Sequence, residues 1–394
     1  FEVVKLLIEK NYIKLQNYFL DGTKIEANAN KYSFVWNRSV CNYDRKLDEK
    51  IRNHLREIDR IVAEENQIYL EEDLEEKGEH TRITAEQVAA VVESIDKKLE
   101  QEPGNKQLKK KSKEFKKDIL PRKQKYEKSL KTFRGRNSYS KTDQDATFMR
   151  MKEDAMLNGQ LKPGYNIQIG TENRYIVGFT IHPNPTDTKT MIPHLRHLEE
   201  KLGCLPENVI ADAGYGSEEN YEYLEEKNVG CYVKYNKFHW EKKKKNRETP
   251  YLAENLPYLP ESDSFVCRNG KRLVHVGNRK YVTEAGYETR RDYYRCEDCS
   301  GCQYTSECKH TEKNRTIRVS HRLNELKRKA NENLCSEKGL VLRSQRVVEV
   351  EQVFGRIKGC WSFRRFHLRG TDKVKIEWGL LAIAHNITKM ALEV

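Results

Sequence analysis

Two short apolar runs, each followed by an aspartate, decide the fold: Tyr18-Phe19-Leu20-Asp21-Gly22-Thr23 and Asn208-Val209-Ile210-Ala211-Asp212. Each run has the composition of a short strand, and each leads into a turn that contains glycine. An aspartate that ends a strand lies at the edge of a sheet, where side chains from several strands converge. Two such carboxylates can hold a hard cation such as Mg²⁺. On these runs alone, a plain turn-capping role for both aspartates is the leading alternative.

The chain around Asp212 has the rhythm of an α/β fold. Residues 165–170 and 175–181 alternate in polarity on either side of a polar turn, which predicts a hairpin of two strands. A helix is expected over about 188–202, and a further strand over 231–235. The predicted fold class is therefore α/β, with helices that flank a sheet.

Residues 41–137 interrupt this pattern as a highly charged segment that is nearly free of Gly and Pro. Apolar residues recur there at steps of three and four, first from Leu47 to Val62 and again from Val88 to Leu99. This spacing is typical of amphipathic helices. We therefore predict a charged helical hairpin or small bundle that is inserted into the α/β fold.

The other segments are separated by changes of composition. Residues 1–40 carry the first strand after a short helical pattern. Because the chain begins with Phe1 instead of Met, we expect a further helical region to precede it. Residues 138–236 contain the second aspartate run and the predicted hairpin. Residues 237–320 form a basic insertion with a cysteine cluster, and residues 321–394 are predicted to be mostly helical.

The composition favours a polyanionic partner. The 394 residues include 73 Lys and Arg against 60 Asp and Glu, which gives a formal net charge of +13. This excess favours nucleic acid through phosphate neutralisation, although a merely soluble basic protein has the same balance. No run of about 18 apolar residues is present, so no membrane-spanning helix is expected. Without a signal peptide, and with scattered cysteines, the expected compartment is a reducing cytoplasm.

A third acidic position lies in the stretch from Arg346 to Lys358. In a regular helix, Glu351, Phe354 and Lys358 share a face. Glu351 could then reach a cation while Lys358 binds a phosphate. The competing interpretation is a surface helix with ordinary i,i+4 salt bridges.

Three ordered blocks resemble those of bacterial insertion-sequence transposases with a DDE catalytic domain. They follow the pattern DGT…DAGY…E-x6-K and comprise residues 20–36, 210–220 and 346–358, the last continuing through 363–370. Two shorter stretches, 141–148 and 164–168, match linking blocks of the same enzymes. The resemblance implies a ribonuclease-H-like fold, which is a mixed sheet with flanking helices.

The resemblance also implies the catalytic residues. Asp21, Asp212 and Glu351 would form the catalytic triad and would hold two Mg²⁺ or Mn²⁺ ions. Glu351 is preferred to Glu349 because the glutamate of the family precedes a lysine by seven positions, as Glu351 precedes Lys358.

Several basic and aromatic residues are expected to contact DNA. They are Arg346, Lys358, Tyr215, Arg364 and Arg365. Arg346 lies one place further from the glutamate than in the commonest form of the signature. For Tyr215, a buried packing role is an equal alternative.

Other aspartates compete for the site. Asp143 and Asp145 lie in a polar loop, and we interpret them as residues that contact DNA or order the site, with metal binding as the lesser alternative. Asp187 is expected to be a helix N-cap, and a supporting role near the metals is the lesser alternative.

Cys296, Cys299, Cys302 and Cys308 have the spacing C-x2-C-x2-C-x5-C. Four thiolates in so short a stretch could close a structural zinc site in a small basic knuckle. Iron–sulfur ligation is a weaker alternative because the usual following Cys-Pro is absent. Free thiols are the remaining interpretation.

Together these features predict a DNA transposase. It would cleave double-stranded DNA at the ends of an insertion sequence and join them to a target, with two metal ions that activate water or a 3′-hydroxyl for in-line attack. The resemblance further implies a homodimer in the DNA complex and association with the bacterial nucleoid. The alternatives are an inactive, transposase-derived DNA-binding protein and a metal-dependent nuclease on the same fold.

Overall fold

The computed structural model describes residues 1–62, 81–151, 159–283, 286–309 and 311–392. It divides into two compact units. The first unit consists of Phe1–Ile25, Asn166–Phe366 and Asp372–Val394, and the second consists of Glu26–Tyr165 and His367–Thr371. The predicted α/β fold class is confirmed, whereas the ribonuclease-H-like assignment and the segment boundaries stay predictions.

The described elements are strands, α-helices and a few π-helical turns. The strands are β1 Asn17–Glu26, β2 Phe34–Trp36, β3 Ser138–Ser140, β4 Thr147–Arg150, β5 Leu161–Glu172, β6 Tyr175–His182, β7 Asn208–Ala211, β8 Gly230–Val233, β9 Tyr258–Leu259, β10 Ser264–Val266, β11 Arg272–Val282, β12 Glu288–Cys296 and β13 Thr316–Val319. The α-helices are α1 Glu2–Glu9, α2 Asn37–Val62, α3 Ala85–Gln101, α4 Lys106–Glu114, α5 Leu120–Phe133, α6 Met191–Leu202, α7 Glu218–Glu226, α8 Phe238–Glu241, α9 Lys244–Arg247, α10 Thr305–Cys308, α11 His321–Cys335, α12 Glu337–Arg346, α13 Gln352–Gly355 and α14 Thr371–Leu392. The π-helical turns are Phe115–Ile119, Val347–Glu351 and Arg356–Cys360.

The first unit is built on a sheet with the strand order β6-β5-β1-β7-β8. β1, β7 and β8 run parallel, and β5 and β6 form the antiparallel hairpin that the alternating pattern predicts. Leu20 in β1 pairs with Ala211 in β7. Asp21 and Asp212 are the next residues along these two strands. The parallel register therefore places the two aspartates side by side at one level of the sheet.

Strand β1 is held by two buried polar contacts. The buried hydroxyl of Tyr18 hydrogen-bonds His194 Nε2 at 2.6 Å. Burial is the main cause that lowers the pKa of His194 to about 3, so this imidazole is neutral near pH 7. Glu172, at the end of β5, accepts hydrogen bonds from the backbone N–H groups of residues 14–17 at distances of 2.6 to 3.1 Å. These contacts fix the strand that carries Asp21.

The second unit contains the charged helical segment. Helices α2 to α5 enclose an apolar core whose buried members include Leu47, Ile51, Ile58, Val88, Val92, Ile95, Phe115 and Ile119. Lys123 is fully buried, and its ammonium lies 2.7 Å from Asp44 Oδ1 and also contacts Asp48. Arg82 contacts the other oxygen of Asp44 at 2.6 Å. Because the buried charges are paired, the cost of their desolvation is largely offset.

Part of the first unit forms a separate antiparallel sheet of five strands, in the order β13-β12-β11-β10-β9. Its longest pair is β11 with β12, and a β-bulge lies between His275 and Gly277. The core of this sheet comprises Leu256, Phe265, Leu273, Tyr294, Cys296, Ile317 and Val319.

The C-terminal helix α14 packs on the hairpin of the first unit. Trp378 is fully buried. Asn386 donates a hydrogen bond to the backbone carbonyl of Ile176 at 2.8 Å and accepts one from its N–H at 2.9 Å. None of the helices in the described part of the chain is long and apolar enough to cross a membrane.

Candidate active site

The two predicted aspartates, Asp21 in β1 and Asp212 just after β7, meet on one cation. Arg346 Nη2 lies 3.0 Å from Asp21 Oδ2 and 3.5 Å from Asp212 Oδ2. The side chains of Asp21 and Arg346 are each 13% exposed, and that of Asp212 is 38% exposed. The pair is therefore partly enclosed, and one guanidinium balances half of the charge of its two carboxylates.

Each of these aspartates uses its two oxygens differently. Asp21 Oδ1 accepts a hydrogen bond from the backbone N–H of Gly22 at 2.8 Å, and Asp212 Oδ1 accepts one from that of Gly214 at 2.8 Å. The contact of Asp212 caps the 3-10 turn Ala213–Tyr215. Asp21 instead lies within β1, which continues to Glu26, so the prediction that a turn ends the first strand at Asp21 is wrong. The second oxygen of each carboxylate faces Arg346. Each carboxylate therefore uses one oxygen for a backbone hydrogen bond and the other for the cation.

A third carboxylate, Asp187, lies beside the pair. Its Oδ1 accepts hydrogen bonds from Asn166 Nδ2 at 2.8 Å and from Gln168 Nε2 at 2.9 Å. A methyl group added to Gly22 would lie 2.6 Å from Asp187 Oδ1, and one added to Gly214 would lie 3.6 Å from Asp187 Oδ2. The glycines that follow the two site aspartates thus leave room for Asp187.

Two predictions at this edge of the sheet are wrong. Asp187 does not cap a helix through its side chain, because α6 begins at Met191 with Thr190 at the N-cap position and no side-chain cap. Tyr215 is fully buried and donates a hydrogen bond to Gln168, so its ring is not accessible for a contact with DNA. Burial is the main cause that raises the pKa of the Tyr215 hydroxyl well above its usual value. The alternative packing role of Tyr215 is therefore correct.

Further cations lie near the acidic pair. Burial, followed by the charges of Arg346 and Arg343, lowers the pKa of Lys234. The Nε atoms of Arg343 and Arg346 are buried without a hydrogen-bond partner among the described residues. This edge of the sheet therefore combines carboxylates that bind cations with guanidinium groups that can donate further hydrogen bonds to an anion.

The third block is a helix interrupted by two π-helical turns. α12 ends at Arg346, one π turn spans Val347–Glu351, and a second spans Arg356–Cys360. The prediction that Glu351, Phe354 and Lys358 share a face assumed a regular helix. That assumption is wrong here, because a π turn closes with i→i+5 hydrogen bonds and holds one more residue than an α turn.

The two glutamates of the first π turn have different surroundings. Glu349 accepts a hydrogen bond from the backbone N–H of Arg174 at 2.6 Å, and burial is the main cause that raises its pKa. Glu351 is exposed. Among the described residues, no group of three or more His, Cys, Asp or Glu side chains is arranged to hold a metal ion. The structure therefore brings together two of the three predicted ligands, and the role of Glu351 stays a prediction.

The remaining basic residues of the predicted DNA contacts follow the third block. Lys358 is half-buried in the second π turn, and its backbone carbonyl accepts a hydrogen bond from Arg364 Nε at 3.3 Å. Arg364 and Arg365 are exposed. Their accessibility is compatible with DNA binding, which stays a prediction for all of them.

Asp143 and Asp145 belong to the second unit. The hydroxyl of Tyr165 donates to Asp143 Oδ2 at 2.9 Å, and the backbone N–H of Thr371 donates to Asp145 Oδ2 at 3.0 Å. Both carboxylates thus have structural partners within the second unit, and their contact with DNA or ordering of the site stays a prediction.

None of the clustered cysteines forms a disulfide in the described part of the chain. Cys296 is buried; burial and then the neighbouring thiol of Cys299 raise its pKa, and Cys267 is a further neighbour. Cys308 Sγ instead accepts a hydrogen bond from Arg315 Nη1 at 2.7 Å. Zinc binding by Cys296, Cys299, Cys302 and Cys308 stays a prediction. Cys267 is a nearby thiol that the spacing pattern did not include, because it lies on a different strand connection.

Comparison with known proteins identifies the C-terminal part of the chain. Residues 266–391 match the family model described as the transposase DDE domain. This range includes the third block and most of α14. No curated protein matches the chain. The match agrees with the predicted recognition of a DDE transposase: over residues 266–391 the chain is similar to the transposase DDE domain.

Proposed function

We propose that this chain is a transposase of an insertion sequence that cleaves double-stranded DNA and joins the free 3′ end to a target. The observation that supports this proposal most directly is the meeting of Asp21 and Asp212, from neighbouring parallel strands, on the single guanidinium of Arg346. A pair of carboxylates at this position suits a hard divalent cation, Mg²⁺ or Mn²⁺.

The side chains around the acidic pair fit divalent metal ions. Asp21 and Asp212 supply oxygen donors, and Glu351 would supply the third carboxylate. Two such ions clamp the attacking and leaving oxygens of a phosphodiester and lower the pKa of the nucleophile. Asp187 would act as a positioning residue, because it fills the space between Gly22 and Gly214 and is held there by Asn166 and Gln168.

The π turn supports Glu351 as the third ligand. Arg346 and Glu351 are five residues apart and are separated by the turn Val347–Glu351. One π turn advances by one residue more than an α turn. It therefore takes up the additional residue that separates Arg346 from Glu351 in this sequence and keeps the two side chains on one side of the helix. Arg346 already contacts both aspartates.

Arg346 would leave the aspartates when divalent cations bind, and its guanidinium would then be available to a DNA phosphate. Replacing Arg346 with Ala is expected to lower the stability of the metal-free protein by about 2 kcal/mol, because two partly buried carboxylates lose their counter-charge. Added Mn²⁺ should then raise the unfolding temperature more than in the unchanged protein. Differential scanning fluorimetry in EDTA and across a Mn²⁺ titration measures both effects.

Arg343→Ala is the matched control for this experiment. Arg343 lies in the same helix and also has a buried Nε, but no ion pair joins it to Asp21 or Asp212 among the described residues. Its replacement should leave the response to Mn²⁺ unchanged. An equal response to Mn²⁺ in both variants would contradict the exchange of Arg346 for metal.

The proposed reaction is tested with the purified protein, Mg²⁺ or Mn²⁺, and labelled duplexes taken from the DNA that flanks its gene. A second substrate carries a pre-cut 3′-hydroxyl end together with a plasmid target. Cleavage and joining that are both lost in EDTA support a transposase. Cleavage without joining favours the nuclease, and duplex binding without cleavage favours the inactive DNA-binding protein. A homodimer in the DNA complex and zinc at the cysteine cluster complete the proposal.

A further inference from the structure

The ribbon β11–β12 and the adjacent strand β13 separate their charges by face. Residues directly opposite each other in antiparallel strands point to the same face, and alternate residues along a strand point to opposite faces. In this register Leu273 is opposite Cys296, and Tyr294 is opposite Ile317. These four residues belong to the buried core of the sheet, so they define its inner face.

The outer face of the same strands is basic. Its arginines, assigned from the register, are Arg272, Arg279, Arg291, Arg295 and Arg318. The acidic residues of the three strands, Glu288 and Asp292, fall on the inner face with Lys280 and Arg290. On the inner face, Lys280 is 2.5 Å from Glu288, and His275 is 3.1 Å from Asp292. The outer arginine face has no acidic residue of its own strands.

Two like charges oppose each other directly on this outer face. Arg279 pairs with Arg291 across the ribbon, and such cross-strand pairs have Cβ atoms about 5 Å apart. Like charges at this separation destabilise a sheet. Charge pairing within the sheet therefore does not account for the two opposed arginines. An anion that binds both guanidinium groups would account for their position.

The tyrosines of this face hold the arginines in place. The guanidinium of Arg291 lies 3.9 Å from the ring centroid of Tyr281, and that of Arg279 lies 5.3 Å from that of Tyr293. Cation–π stacking fixes the planar groups while leaving their N–H edges free to bind bidentate oxyanions. It also covers the ring faces on which an unpaired base would stack. The arrangement therefore suits phosphates of a duplex better than the bases of a single strand.

The patch has a defined extent. Along β12, every second residue faces outward: Arg291, Tyr293 and Arg295. Arg318 of β13 lies opposite Tyr293. Successive outward-facing residues of β12 are therefore about 7 Å apart. At the other end, Thr289 donates a hydrogen bond to Glu218 at 2.7 Å, and this contact ends the arginine face.

We propose that the outer face of β11, β12 and β13 is a binding surface for the sugar–phosphate backbone of duplex DNA, separate from the acidic pair and independent of base sequence. The proposal rests on the proposed function only in taking DNA as the polyanion. Arginines that neutralise phosphates release counterions, so affinity should fall linearly with the logarithm of the salt concentration.

The test compares two double variants with the same change in net charge. Arg279→Gln with Arg291→Gln removes the opposed pair of the outer face, and Lys280→Gln with Arg290→Gln removes the opposed pair of the inner face. Fluorescence anisotropy of a labelled duplex of random sequence, titrated in EDTA over a range of KCl, gives the slope of log K against log salt. The outer pair should reduce the slope by about 1.8, from two phosphate contacts. The inner pair should leave it unchanged.

Thermal unfolding of both variants excludes a simple loss of structure. The outer variant loses one like-charge repulsion and two cation–π contacts, which act in opposite directions, so its unfolding temperature should stay close to that of the unchanged protein. Equal slopes for the two variants, or tighter binding of a single-stranded oligonucleotide than of the duplex, would overturn the proposal. Because EDTA prevents metal-dependent chemistry, the result does not depend on catalysis. A protein that fails to cleave but shows the expected slopes refutes the proposed reaction and not the DNA-binding surface.

Discussion

Glu351→Gln is expected to lower the rate of DNA cleavage by about three orders of magnitude while duplex binding and thermal stability stay unchanged. A metal ligand contributes several kcal/mol to transition-state stabilisation, and each 1.36 kcal/mol corresponds to a tenfold change in rate. Glu351 is exposed, so its replacement by an amide of the same shape leaves the packing intact. Asp212→Asn should reduce cleavage to a similar extent. Single-turnover cleavage of end-labelled duplex in Mg²⁺ measures the rates.

Glu349→Gln is the matched control, since Glu349 lies in the same π turn. Burial raises the pKa of Glu349, and the carbonyl oxygen of a glutamine can still accept the hydrogen bond from Arg174. This variant should therefore cleave DNA at close to the unchanged rate. If Glu349→Gln abolished cleavage and Glu351→Gln did not, the third carboxylate would be Glu349 and not Glu351.

Gly170→Ala is expected to destabilise the first unit by about 3 kcal/mol or more. A methyl group at this position would lie 1.7 Å from Tyr18 Cζ, a distance that no small adjustment can relieve. Tyr18 cannot move aside easily, because its ring is buried and its hydroxyl is bound to His194. Overpacking of a core typically costs about 1 to 3 kcal/mol. We expect Gly170→Ala to reach or exceed the upper end of that range because its methyl group would overlap a ring that cannot move. Urea unfolding followed by circular dichroism measures the loss.

Two further variants make the experiment specific. Gly355→Ala, in helix α13, has no atom within 4 Å of the added methyl group and should be neutral or slightly stabilising. Combining Gly170→Ala with Tyr18→Leu removes the ring that the methyl group would meet. The double variant should therefore lose less stability than the two single effects added together. Strict additivity would show that Tyr18 and Gly170 are not in contact.

The sequence was sufficient to predict the parts of the site that depend on local strand patterns. Asp21 and Asp212 could be found because each follows a short apolar run, and parallel pairing of such runs aligns their ends. The hairpin β5–β6 could be predicted for the same reason, since alternation of polarity is a local signal. Its first strand is longer than the predicted 165–170 and spans Leu161–Glu172.

Other features depend on contacts between distant residues, which no local pattern contains. Asp187 follows Pro-Thr and precedes a helix, which is typical of an N-cap, yet its carboxylate is bound by Asn166 and Gln168 from another strand. The neighbouring sequence does not indicate that Tyr215 is buried, because its hydroxyl is bound by Gln168, which is distant in sequence. The π turns could not be predicted either, since helical periodicity assumes a constant number of residues per turn.

The two oxygens of Asp21, and likewise those of Asp212, have different partners, and this difference has an evolutionary consequence. One oxygen of each side chain accepts a hydrogen bond from the backbone, from Gly22 or from Gly214, so selection for folding alone would still favour an acceptor at both positions after activity is lost. Asparagine keeps that acceptor and abolishes the charge, and a single base change converts an aspartate codon into an asparagine codon. Decaying copies of such a gene should therefore accumulate Asn at these two positions, whereas position 351, which supports no turn, should drift without restriction. The first visible sign of a dead copy would be the loss of the glutamate.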